Sequence, residues 1–77
     1  MTVKYFGMIA SSLQKEVEKI DINTPINASE LSDFLTQKYP VLADLSFQIA
    51  VNHQIAGQED QLHPDDEIAL LPPFAGG

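Results

Sequence analysis

The chain has 77 residues, no cysteine, and four Lys+Arg against eleven Asp+Glu, for a net charge of −7. That length fits one small domain, hiding only about 60% of the unfolded chain's surface. The lack of cysteine excludes a disulfide framework, a thiolate metal site and a cysteine nucleophile, and the acidity argues against nucleic acid, whose phosphates need Lys and Arg. Every base is a lysine at or before Lys38, whereas Asp44, Glu59, Asp60, Asp65, Asp66 and Glu67 lie beyond it. The acidic second half suits either a partner with a basic surface or plain solubility. No stretch approaches the length of a membrane span, and Met1–Tyr5 begins no signal-like apolar run. The expectation is a cytoplasmic chain without membrane contact.

Val3-Lys4-Tyr5-Phe6 predicts a first strand, with Val3 and Tyr5 on one face and Lys4 and Phe6 on the other. Phe6 then points away from the core face, either under a loop or into an exposed apolar patch. Gly7 breaks the strand. Ile9 and Leu13 stand at helical spacing, which fits a short helical turn or a tucked loop. Glu16–Ile22 alternates acids with apolar residues and predicts a solvated edge strand, antiparallel to the first.

Asn27-Ala28-Ser29-Glu30 has the form of a capping box, with Asn27 as N-cap and Glu30 reaching back. Leu31, Phe34, Leu35, Lys38 and Tyr39 follow as a helical stripe, and Leu31, Phe34 and Leu35 are expected in the core. Pro40 ends that helix, and Val41–Leu45 is a connector with one helical turn. Phe47–Asn52 predicts a third strand with Phe47, Ile49 and Val51 inward. His53-Gln54 is a turn, Ile55-Ala56 a short strand, Leu62–Asp66 a turn, and Glu67–Leu71 the last strand. In that strand Ile68 and Leu70 share one face, Ala69 and Leu71 the other. One helix on one face of a small mixed sheet is an α+β arrangement.

The chain then runs through Pro72-Pro73-Phe74-Ala75-Gly76-Gly77. Proline cannot donate to a sheet ladder, and glycine enters channels where a Cβ would clash. Residues 72–77 are read as an extended tail reaching about 20 Å from the body, at roughly 3.3 Å per residue. The alternative is an ordinary frayed terminus.

Elsewhere the sequence offers little chemistry. His53 and His63 fall in turns without a convergent ligand set, and no metal site is expected. Asp65-Asp66-Glu67 offers oxygens to a hard cation or forms a solvated turn. No glycine-rich phosphate loop is present. The carboxyl group of Gly77 is unreactive as it stands. Adenylation makes it an electrophile, and a sulfur nucleophile then converts it to a thiocarboxylate. Such chemistry needs the unhindered end that Gly76-Gly77 supplies.

These residues carry a resemblance over the whole chain. Val3–Phe6, Ile49–Asn52, Leu62–Ala69 and above all Leu70-Leu71-Pro72-Pro73-Phe74-Ala75-Gly76-Gly77 resemble the ubiquitin-like sulfur carriers, and within them the small subunits of molybdopterin synthase. The Pro-Pro before the Gly-Gly is specific to those subunits. The thiamine-pathway carrier usually lacks it, and the ubiquitin-related modifier is longer.

The resemblance implies a β-grasp fold with the first and last strands parallel and adjacent. It implies an E1-like adenylating enzyme that uses ATP and magnesium, and a persulfide sulfur donor. It also implies a large catalytic subunit, in a heterotetramer, that receives the tail and passes sulfur to precursor Z (cyclic pyranopterin monophosphate). The chain itself binds no cofactor in this scheme. Phe6, Ile55 and Leu71 fall where the family docks on the large subunit, with Pro72, Pro73, Phe74 and Ala75 following and Gly76-Gly77 as the reacting end. Carriers for thiazole synthesis or tRNA thiolation, and a ubiquitin-like protein modifier, are the alternatives. Gly7 stands where the family often has Ala, a departure to which the sequence attaches no consequence.

Overall fold

The computed structural model describes residues 1–73. Strand β1 (Thr2–Tyr5) leads into helix α1 (Gly7–Leu13) and strand β2 (Val17–Lys19). Strand β3 (Ile26–Asn27) opens onto helix α2 (Ala28–Lys38), and a 3-10 turn follows over Pro40–Asp44. Strands β4 (Gln48–Val51), β5 (Gln54–Ile55), β6 (Gln61–Leu62) and β7 (Glu67–Leu71) complete it. Five strands form a sheet in the order β2-β1-β7-β4-β5, and β3 pairs with β6 apart from it. The expected parallel pairing of first and last strands is present, with Val3 opposite Ile68 and Tyr5 opposite Leu70. The other pairs in that sheet are antiparallel, and β2 lies on its edge as the charge pattern predicts.

The alternation in β1 and β7 divides the sheet's two faces. Val3, Tyr5, Ile68 and Leu70 are buried together with Ile49, Leu31, Leu35, Leu42 and Leu62. Each fully buried aliphatic side chain here contributes about 1.5–3 kcal/mol relative to exposure. Ile9 of α1 is buried too, so the segment after Gly7 is a helix rather than a loop.

Helix α2 starts on the predicted capping box. The Glu30 N–H donates to Asn27 Oδ1 at 2.8 Å, and the Asn27 N–H donates to Glu30 Oε1 at 2.9 Å. The Ala28 and Ser29 N–H groups donate to the carbonyls of Asp60 and Gln58. The donors that a helix start usually leaves open are thereby satisfied.

Phe34 corrects one expectation. It is 41% exposed, whereas Ala28, Leu31 and Leu35 are buried. At 3.6 residues per turn Phe34 lies about 60° to one side of Leu31 and about 100° from Leu35. A contact stripe centred on those two leucines leaves it at the margin. The short β3–β6 pair is a second departure: Leu62, expected in a turn, belongs to β6 and is fully buried. The β4–β5 turn lies one residue earlier than expected, at Asn52-His53, and both residues have positive φ. Two such residues suit a tight hairpin. Asn52 holds it, accepting from the Glu67 N–H through Oδ1 and donating to Asp66 through Nδ2.

The far end of the sheet is tied by Glu18, whose side chain is 13% exposed. Its carboxylate accepts from Tyr5 Oη at 2.8 Å and Tyr39 Oη at 2.8 Å, and lies 2.7 Å from Lys38 Nζ. Lys15 Nζ donates to Tyr39 Oη at 2.7 Å. Burial alone would push Glu18 up. Hydrogen bonds from Lys38, Tyr39 and Tyr5, with the Lys38 charge, outweigh it and hold Glu18 down at about 2. The Tyr5 hydroxyl is pushed up by burial and by its carboxylate partner.

Candidate functional site

The outer face of the sheet is built from the alternate residues of the same strands. Registers align Lys4 with Ala69, Ala69 with Ala50, and Ala50 with Ile55, a row that crosses four strands. Two alanines at the centre of that row leave a hollow between larger neighbours. Phe6 and Leu71 stand one step further along β1 and β7, on the same face as Lys4 and Ala69. The Phe6 N–H donates to the Leu70 carbonyl at 3.2 Å, which keeps Phe6 in line with the sheet although helical structure begins at the next residue.

The result is a depression of about 380 Å³ lined by Phe6, Ala50, Ile55, Ala69 and Leu71, with Lys4, His53 and Glu67 at its rim. Phe6 is 45% and Ile55 is 56% exposed. The structure thus brings together the three apolar residues singled out in the sequence, Phe6, Ile55 and Leu71. It resolves the choice for Phe6 in favour of an exposed patch. Pro72 follows Leu71 directly, half-buried, and Pro73 is exposed. Phe74, Ala75, Gly76 and Gly77 lie outside the described residues.

No local sequence pattern marks Ala50 and Ala69 as site residues. What distinguishes them is their smallness at outward positions of central strands. Lys4 and Glu67 form the charged rim, 3.8 Å apart, and His53 Nε2 lies 2.9 Å from the same Glu67 carboxylate. His53 enters the site through the hairpin turn, which no local pattern linked to β7. In the Asp65-Asp66-Glu67 run, Asp65 and Asp66 lie in a turn and Glu67 begins β7. Asp66 accepts from the His63 N–H at 2.8 Å, and that bond, aided by Asn52, holds its carboxyl below the ordinary range. Among the described residues no group of three or more His, Cys, Asp or Glu side chains converges, and no helix is long and apolar enough to cross a membrane.

A surface of this kind offers an apolar seat beside the point where the chain leaves the sheet. Comparison with known proteins gives that geometry a setting. The model of the ThiS family matches residues 3–77. The chain is 35% identical over 80 residues to the molybdopterin synthase sulfur carrier subunit of Mycobacterium tuberculosis (strain ATCC 25618 / H37Rv), covering 100% of this chain and 96% of the relative. It superposes with a TM-score of 0.83, at 19% identity and 95% coverage of each chain, on a Pyrococcus furiosus protein named for subunit 1 of molybdopterin converting factor. It also superposes with a TM-score of 0.67, at 29% identity and covering 99% of this chain and 96% of the other, on a chain from the complex of subunits 1 and 2 of molybdopterin-converting factor from Helicobacter pylori 26695. With its parallel first and last strands and its helix across one sheet face, the chain belongs to the ThiS family and has the β-grasp, ubiquitin-like fold.

Proposed function

We propose that this chain is the sulfur carrier subunit of a molybdopterin synthase. The observation that carries the reading is the 35% match, along the whole chain, to a relative of that name. The apolar depression at the root of the tail supports it, because a carrier must dock before its end can enter a partner's active site.

In this reading the Gly77 carboxylate attacks the α-phosphorus of ATP on an E1-like enzyme. An acyl-adenylate forms and pyrophosphate leaves. A persulfide sulfur then attacks the acyl carbon and AMP departs. A second thiol reduces the resulting acyl disulfide, leaving a thiocarboxylate on Gly77. The large catalytic subunit takes the tail and directs that sulfur onto precursor Z. Water then hydrolyses the acyl–sulfur bond, which returns the Gly77 carboxylate and leaves the sulfur on the product. Phe6, Ile55 and Leu71 dock the body on the large subunit, in a heterotetramer with two carriers at opposite ends of a large-subunit dimer. Pro72, Pro73, Phe74 and Ala75 line the path inward, and Gly76 keeps it slim. The chain's own part is to dock, to aim and to carry the acyl group; the catalytic groups belong to its partners.

The test is the intact mass of the chain after co-expression with an E1-like enzyme. Replacement of one oxygen by sulfur is expected, and it is lost when Gly77 is deleted. Unimpaired molybdenum-cofactor synthesis by the Gly77-deleted chain would overturn the proposal. Copurification with a thiazole synthase instead of a molybdopterin synthase large subunit would move the carrier to the thiamine pathway.

A further inference from the structure

We infer that Gly7 is the seat of Pro72, and that it acts as a positioning residue for the sulfur-bearing end. The functional half of this inference rests on the carrier reading; the geometric half does not. Parallel strands that pair in register end side by side at the same edge of the sheet. Tyr5 is opposite Leu70, so β1 and β7 finish together, and one chain must turn aside for the other to continue. The turn is made at Gly7, which has φ +58 and opens α1. That conformation costs little for glycine and is unfavourable for residues with a Cβ.

The space beside it is already taken. A Cβ at Gly7 would lie 2.8 Å from Pro72 Cγ and 3.6 Å from Pro72 Cδ. The first distance is closer than real Cβ contacts allow. Pro72 cannot swing aside as a long side chain would, because its ring is closed on its own backbone nitrogen and fixes φ near −65°. Displacing the ring therefore displaces the backbone, and with it the direction in which Pro72-Pro73 leaves the body. The turn lets the proline ring lie against bare backbone, next to Leu71 and the docking depression.

The experiment compares full-length wild type, Gly7→Ala, Pro72→Ala and the double variant as substrates of an E1-like enzyme, with ATP and a persulfide donor. Thiocarboxylate is read by mass at several chain concentrations. Gly7→Ala is expected to lower loading efficiency on the order of tenfold, a size set by small misplacements of a reacting group. In the Pro72→Ala background, where the ring atoms are gone, the same change is expected to cost less than about twofold. Thermal unfolding separates the two costs: Gly7→Ala is expected to lower the midpoint in both backgrounds because of the positive φ, and by more where the Pro72 ring is present. Equal losses of loading in the two backgrounds, or none in either, would overturn the positioning role.

Failure of wild type to take up sulfur would sink the carrier reading. The seat is then judged on the isolated wild-type chain by nuclear Overhauser contacts between Gly7 Hα and the Pro72 ring. Their presence supports it and their absence refutes it.

Discussion

The two faces of the central sheet come from the same strands, one residue out of step, and serve opposite ends. Inward, Val3, Tyr5, Ile68 and Leu70 are buried with helix α2. Outward, Lys4, Phe6, Ala69 and Leu71 border an open depression. Leu70 and Leu71 are neighbours in sequence, yet Leu70 is fully buried and Leu71 is only half-covered. The difference shows that apolar character alone does not mark the core. What marks it is the phase of the alternation, and an apolar residue in the wrong phase points to a surface that expects company.

That contrast can be broken at graded points. Leu70→Ala is expected to cost the most, about 2–5 kcal/mol of folding stability, since it opens a cavity in the closed face; denaturant unfolding measures it. Glu18→Gln comes next at about 1–3 kcal/mol, because Lys38, Tyr39 and Tyr5 lose a charged partner.

Glu18 also fixes a pH signature. Its folded value of about 2 lies below the ordinary 4.5. Its contribution is therefore full above about pH 4.5 and is lost as the pH falls toward 2. The wild-type melting temperature should fall faster across that window than that of Glu18→Gln, and parallel curves would remove Glu18 as the acid-sensitive group.

Phe6→Asp should change stability least, by less than about 1 kcal/mol. The side chain is exposed and Asp is a good N-cap for α1. Yet it should weaken binding to a molybdopterin synthase large subunit by at least roughly tenfold, because it places a charge in an apolar contact. Unchanged affinity by calorimetry would take Phe6 out of the interface, and an unfolded variant would reverse the assignment of the two faces.

Much of this was legible because it is local or periodic. The capping box at Asn27 and Glu30, the phase of Val3 and Tyr5 against Lys4 and Phe6, and the edge position of the charged β2 each follow from residues a few positions apart. Phe34 departs from its expected burial because a helical stripe has a width that sequence alone does not state. Strands β3 and β6 are two residues each, too short for any period, and their pairing joins Ile26 to Leu62 across the chain. His53 reaches the depression only because Asn52 and His53 both adopt positive φ. Nothing in a non-glycine pair announces that. Gly7 illustrates the same limit, since its neighbour Pro72 lies at the other end of the chain.

The central place of β7 has a consequence for how the molecule is made. It lies between β1 and β4, so without it the sheet falls into two separate antiparallel pairs, β1–β2 and β4–β5. Isolated two-stranded pairs are marginal in water. A nascent chain that has not yet released Glu67–Leu71 from the ribosome therefore has no half-sheet worth keeping, and β1 must wait for its parallel partner. Closure of the fold follows the emergence of that strand from the ribosome. Premature termination before that strand would yield a chain for proteolysis rather than a folded body.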